Sequence, residues 1–87
     1  MKAVIKVGGK QYIVYPNPSR QQAVTILSKD PAGGMVQIFN AAGMKVYEKM
    51  LNDVTNTIPA ERLSTGVYML RFIKENKIQV LLKLVIY

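Results

Sequence analysis

The fold is decided by residues 66–87, which read GVYMLRFIKENKIQVLLKLVIY. Two apolar, β-branched runs flank the polar sequence at 74–77, a pattern typical of a turn between antiparallel strands. Alternation in the second run places one set of side chains on a single face: Ile78, Val80, Leu82, Leu84 and Ile86. The other face carries Gln79, Leu81, Lys83 and Val85. The stretch therefore predicts a long hairpin with one fully apolar face.

The rest of the chain repeats this pattern of short apolar runs separated by turn residues. The predicted strands are 2–7, 11–15, 23–28, 35–40, 44–50, a short one near Ile58, 66–73 and 78–86. In the strand 44–50 we expect Lys45, Tyr47 and Lys49 on the more hydrated face. Residues 59–63 predict a single helical turn. Together these elements predict an all-β fold, an immunoglobulin-like antiparallel β-sandwich of about seven strands.

Length and composition limit the possible functions. The chain has 87 residues, 49% of them hydrophobic, which indicates one globular domain. It contains no Cys and no His, so the commonest thiol nucleophile, general base and zinc ligands are missing. The five carboxylates show no spacing that selects a catalytic pair. We therefore expect no enzyme activity, no metal site and no cofactor.

The charge is strongly basic. A net charge of +7 favours anionic partners, although the lysines and arginines are dispersed along the chain as in an ordinary solubilising surface. No apolar run approaches the roughly 20 residues of a membrane helix. Met1-Lys2 precedes a strand pattern rather than an apolar leader, so we expect the chain to lack its own signal peptide.

Four pieces of sequence occur in a fixed order. They are Tyr15-Pro16-Asn17-Pro18, then Val36-Gln37-Ile38-Phe39-Asn40 with Gly43, then Leu63 with Gly66-Val67-Tyr68, and finally Lys83-Leu84-Val85-Ile86. The series resembles the type A C-terminal sorting domain of the type IX (Por) secretion system of Bacteroidetes, over about residues 12–87. Each piece is short, and their order and spacing carry the resemblance.

The resemblance implies a non-enzymatic signal domain that directs an N-terminal passenger protein through the periplasm and outer membrane to the cell surface or medium. It implies two partners, the outer-membrane type IX translocon and a cell-surface sortase. A passenger is not part of this sequence, so we expect an excised, reduced or chimeric form, and no cleavage site is assigned to a residue. The recognition or structural motif comprises Tyr15, Pro16, Asn17, Pro18, Gly43, Gly66, Tyr68, Lys83, Leu84, Val85 and Ile86.

Physical chemistry suggests a role for each piece. Pro16 and Pro18 lack N–H donors and predict a stiff, extended entry that cannot lie inside a sheet. Gly66 predicts a turn at a position where a Cβ would clash or strain the backbone. Tyr68 is expected to be an aromatic residue that packs in the core or sheet, with its hydroxyl held by a hydrogen bond. The terminal strand, 83–86, is expected to offer an unpaired edge for β-augmentation by the export receptor, or for a homodimer.

The first 14 residues differ from this pattern. Residues 1–14 resemble the N-terminal hairpin of large-subunit ribosomal protein twenty-one. This hairpin is either a foreign or fused segment or a product of convergence. We therefore divide the chain into the hairpin at 1–14 and a sorting domain at 15–87, and expect the two to pack as one globular unit. The alternative function is a small basic RNA-binding module in which Lys2, Lys6 and Lys10 contact phosphate. A further alternative is an immunoglobulin-like adhesion or carbohydrate-binding module, whose usual cluster of exposed aromatics is weak here.

Overall fold

Antiparallel strands make up most of the molecule. The computed structural model describes residues 3–7, 10–28, 34–74 and 77–87. The strands are β1 Ala3–Val7, β2 Lys10–Tyr15, β3 Val24–Ser28, β4 Gly34–Phe39, β5 Lys45–Leu51, β6 Thr55–Ile58, β7 Gly66–Lys74 and β8 Lys77–Ile86. The predicted helical turn is a short 3₁₀ segment, Ala60–Arg62. The turn predicted at Gly8-Gly9 lies outside the described residues.

The strands form two sheets with immunoglobulin-type connectivity. One sheet has the order β1-β2-β3-β6 and the other β5-β4-β7-β8, and all of these pairings are antiparallel. The order β2-β3-β6 corresponds to strands A-B-E of an immunoglobulin domain, and β5-β4-β7-β8 corresponds to C′-C-F-G. The predicted all-β sandwich is therefore confirmed.

Strand β1 is an addition to this sandwich. It pairs with the outer edge of β2, from Ala3 opposite Val14 to Val7 opposite Lys10. On its other side β2 pairs with β3. The antiparallel pair of β1 and β2 continues the sheet, and β1 covers an edge that β2 would otherwise expose.

Alternating side chains from both sheets fill the core. In β8 the side chains of Leu84 and Ile86 are buried, whereas Leu81 and Lys83 on the other face are exposed, as the alternation predicts. Leu82 is partly buried against the same core. The buried cluster comprises Tyr12, Val14, Val24, Ile26, Val36, Ile38, Leu51, Ile58, Ala60, Tyr68, Leu70, Phe72, Leu84 and Ile86. Burial of these apolar side chains is the main stabilising term of the fold.

Strand β5 corrects one expectation. Tyr47 lies opposite Ile38 on the inner face of the sheet and packs against the core, so the prediction that it lies on the more hydrated face is wrong. Glu48 and Met50, on the alternate face, are exposed, as are Lys45 and Val46 at the start of the strand. A bulge between Ile38 and Phe39 shifts the register at this edge strand, and alternation read from the sequence alone does not reveal which face meets the second sheet.

Candidate functional site

The side chain of Asn17 binds the edge of the terminal strand. Its Nδ2 donates a hydrogen bond to the carbonyl oxygen of Lys83 at 3.0 Å, and its Oδ1 accepts one from the N–H of Val85 at 3.4 Å. An asparagine amide offers one donor side and one acceptor side, as a peptide group does. Because Pro16 and Pro18 have no N–H, the side chain of Asn17 supplies the pairing that the backbone here cannot.

Ser19 continues this pairing with its backbone. Its N–H donates to the carbonyl of Val85 at 2.7 Å, and its carbonyl accepts from the N–H of Tyr87 at 2.8 Å. The Ser19 side chain is buried, and its Oγ donates to the carbonyl of Gln22 at 2.8 Å and accepts the N–H of Gln22 at 3.2 Å. We call Asn17 and Ser19, bonded to the β8 edge at residues 83–87, the clasp.

The clasp changes the expected role of the terminal strand. It bonds the outward carbonyls of Lys83 and Val85 and the outward N–H groups of Val85 and Tyr87. The prediction that this stretch offers an unpaired edge is therefore wrong, because a segment from the other end of the domain already pairs with it. Strand addition by a receptor or a second copy at this edge would require Asn17 and Ser19 to leave it.

Gly66 and Tyr68 form the corner at the start of β7. Gly66 has φ of +154°, a conformation that favours glycine. No described atom lies within 4 Å of the position that a Cβ would occupy. The backbone conformation at residue 66, and not a steric clash, therefore explains why glycine is favoured there. Tyr68 is buried, and its hydroxyl donates to the carbonyl of Ser64 at 2.7 Å. A tyrosine near the start of strand F that bonds the backbone a few residues upstream is the tyrosine corner of immunoglobulin-like domains.

Removing the Tyr68 hydroxyl tests this corner. We expect Tyr68→Phe to lower the free energy of unfolding by about 0.5–1.5 kcal/mol, because one intramolecular hydrogen bond is lost while the packing of the ring remains. The matched control is Tyr15→Phe, which removes the hydroxyl of an exposed tyrosine and should leave stability unchanged. Urea unfolding of the three proteins measures both values, and equal midpoints for all three would contradict the structural role of the corner.

The Asn40–Gly43 segment forms the tight turn between β4 and β5. The side-chain oxygen of Asn40 accepts the N–H groups of Ala42 at 3.0 Å and Met44 at 2.9 Å. The N–H of Gly43 donates to the carbonyl of Asn40 at 2.9 Å, and Gly43 has φ of +84°. Asparagine and glycine are the residues that such a turn favours, which explains this piece of the sequence pattern.

The sequence pieces converge at one end of the sheet β5-β4-β7-β8. Phe39, just before the β4–β5 turn, pairs with Met69 of β7, while Tyr68 pairs with Leu84 of β8. A cavity of about 230 Å³ lies between the β4–β5 turn and residues 65–68. The clasp then joins Asn17 to the end of β8. We call this region, formed by the clasp, the Asn40–Gly43 turn and the paired residues 66–68 and 84–86, the motif end.

The motif end also contains residues that the sequence pattern does not single out. Ser19 follows the Pro-Asn-Pro sequence directly, and the missing N–H groups of the prolines are the signal that a nearby residue must take over the pairing. The guanidinium of Arg20 lies 5.5 Å from the ring centre of Tyr87. Gln21 donates from Nε2 to the carbonyl of Leu63 at 3.2 Å, which ties the clasp segment to another piece of the pattern.

A polar ladder crosses the outer face of the same sheet. Arg71 donates from Nε and Nη2 to Gln37 Oε1 at 3.0 and 2.7 Å, and Gln37 donates from Nε2 to Glu48 Oε1 at 2.9 Å. Lys45 forms a 3.0 Å ion pair with the same oxygen of Glu48. The bonds from Gln37 and Lys45 lower the pKa of the Glu48 carboxyl below 4.5, so their stabilising effect is present at neutral pH and lost as the pH falls through that lowered value.

The two alternative functions depend on the N-terminal lysines and on exposed aromatic side chains. The side chains of Lys2, Lys6 and Lys10 lie outside the described part of the chain, so an RNA-contacting row there stays a prediction. Of the five tyrosines, all of them described, only Tyr15 and Tyr87 are exposed. Within the described ranges no group of three or more acidic, His or Cys residues is placed to hold a metal ion, and no helix is long and apolar enough to cross a membrane.

The comparison with known protein families covers the same part of the chain as the converging pieces. The family model described as "Secretion system C-terminal sorting domain" matches residues 13–87. The match begins inside β2 and includes the whole motif end, whereas β1 lies outside it. No curated protein matches the chain.

Proposed function

The chain belongs to the family of secretion system C-terminal sorting domains. From this membership we propose that it is the sorting signal of a passenger protein. The folded domain directs an N-terminal passenger through the type IX secretion system to the cell surface or medium. Its partners are the outer-membrane translocon and the cell-surface sortase. The family is not an enzyme family, and the domain acts through recognition.

The convergence of the sequence pieces at the motif end is the observation that carries this proposal. Asn17 and Lys83 are 66 positions apart in the chain and are joined by a direct hydrogen bond. Phe39, Met69 and Lys83 come from three strands and lie side by side across the sheet. A partner protein can therefore contact these pieces together as one surface.

Such a surface exists only when the domain is folded. Pairing across so many residues requires that the intervening sandwich has formed, because an open chain does not hold distant segments together. The sorting signal is thus a three-dimensional epitope, which consists of Pro16–Ser19, the β4–β5 turn, the tyrosine corner and the end of β8. Its dependence on folding supports export after the domain has folded in the periplasm.

Export of a reporter tests the proposal. A periplasmic reporter fused in front of residue 1 of the chain is produced in a host with a working type IX system, and the fractions in periplasm, cell surface and medium are measured. We expect the fusion at the surface or in the medium, and the reporter alone in the periplasm. Retention of the fusion in the periplasm, with the domain shown to be folded by protease resistance, would contradict the proposed function.

A further inference from the structure

A groove on the outer face of the sheet β5-β4-β7-β8 adjoins the motif end and shares with it the Asn40–Gly43 turn and part of residues 66–68. Its volume is about 480 Å³. Its floor is formed by Phe39, Val67, Met69 and Leu81, and the β4–β5 turn forms one wall. We call this site the outer groove.

Three apolar side chains in the outer groove are exposed. Leu81 is 57% exposed, Val67 48% and Met69 38%. Val67 and Met69 lie on the same face of β7, and Leu81 lies opposite Arg71 on the neighbouring strand, so the three form one patch. A continuous exposed apolar patch beside polar groups marks an interaction site more often than single exposed apolar residues do.

The charges around the patch are positive. Arg71 lines the outer groove, with its guanidinium 4.5 Å from the ring centre of Phe39 and two of its donors fixed on Gln37. Lys83 lies opposite Met69 and is exposed. Glu48, the acid of the polar ladder, already accepts bonds from Lys45 and Gln37, and no acidic residue is among the described residues that line the groove. The field over the groove therefore favours an anionic partner.

The geometry also limits how a partner can bind. The floor belongs mainly to β4 and β7, interior strands whose backbone groups pair with neighbours on both sides. The clasp occupies the end of the β8 edge. A partner must therefore use side chains rather than strand addition. The volume accommodates a few side chains and is small for the several acyl chains of an anionic lipid.

We propose that the outer groove docks a segment of the export receptor that presents apolar side chains flanked by Asp or Glu. This inference rests on the proposed function and identifies the surface through which it operates. Apolar side chains of the segment cover Val67, Met69 and Leu81, and its carboxylates face Arg71 and Lys83. Peripheral charges of this kind chiefly accelerate and orient the encounter, whereas the buried apolar contacts hold the complex.

Site-specific photo-cross-linking tests the docking. The reporter fused to the full chain carries p-benzoylphenylalanine in place of Leu81, or in place of Val54 as the control, which is 60% exposed in the loop before β6. Irradiation of exporting cells should give a protein adduct from position 81 and little from position 54, and the adduct peptide should be rich in Asp and Glu. Equal adducts from both positions, an adduct of two fusions, or a glycolipid adduct would each overturn the proposal.

A charge placed in the patch provides the second measurement. We expect Leu81→Glu to lower the exported fraction by about tenfold or more, because a buried contact is lost and the new carboxylate repels an acidic segment. Val54→Glu should export like the wild type, and the melting temperatures of both variants should stay within about 4 °C of it. Export of the wild type and Leu81→Glu alike overturns this inference alone, whereas retention of the wild-type fusion overturns the proposed function and this inference with it.

Discussion

Replacing Leu84 by alanine is expected to lower the free energy of unfolding by about 2–5 kcal/mol. Leu84 is completely buried on the inner face of β8, opposite Tyr68, so the truncation removes apolar contacts and leaves a cavity between the sheets. A domain of this size is stable by only about 5–15 kcal/mol, so the loss is a large share of its stability. Urea unfolding followed by circular dichroism measures the change.

Leu81→Ala is the matched control for this experiment, because it makes the same substitution on the same strand at a position that is 57% exposed. Its unfolding free energy should stay within about 0.5 kcal/mol of the wild type. The two variants also separate folding from docking. Leu84→Ala should reduce export because the domain unfolds, whereas Leu81→Ala should reduce export while the domain stays folded. Equal destabilisation by both substitutions would contradict the assignment of inner and outer faces in β8.

Replacing Asn17 by alanine is expected to open the clasp. The variant loses the bonds to the Lys83 carbonyl and the Val85 N–H, which should lower the free energy of unfolding by about 1–2 kcal/mol. The amides of Val85 and Tyr87 should also exchange faster with solvent, because the end of β8 is then less firmly held. Hydrogen exchange observed by NMR provides the residue-specific measurement.

Two further variants make the clasp experiment specific. Asn17→Asp keeps an acceptor for the Val85 N–H but turns a carboxylate oxygen toward the Lys83 carbonyl oxygen, so its stability should fall below that of the wild type. Asn52→Ala removes an exposed asparagine in the segment between β5 and β6 and should have no effect. Unchanged exchange at Val85 and Tyr87 in Asn17→Ala would show that the bonds are not formed in solution.

The class of fold and the inner face of the terminal strand can be predicted because both depend on local alternation. Leu82, Leu84 and Ile86 recur at every second position, and a half-buried strand imposes that period. Tyr47 shows the limit of this reasoning: it alternates in the same way, but the pattern predicts the wrong face for it because the second sheet, which defines the inside, is a long-range feature.

The candidate site is predictable in its parts and not in its assembly. The prolines, Gly43, Gly66 and Tyr68 each follow a local rule of turn or corner chemistry. The clasp depends on Asn17 meeting Val85, which are 68 positions apart, and no local pattern encodes that contact. For the same reason the local pattern predicts an open edge at the terminal strand, whereas neighbouring Asn17 and Ser19 supply the pairing that the prolines cannot.

The central claim is that the sorting signal is the assembled motif end, which the clasp holds together. The most direct test is the exported fraction of a reporter fused to the full chain, compared between Asn17→Ala and Asn52→Ala at a temperature where both domains remain folded. We predict that Asn52→Ala is exported like the wild type and that Asn17→Ala remains largely in the periplasm. Export of Asn17→Ala at the wild-type level, with its clasp shown by hydrogen exchange to be open, would contradict the claim.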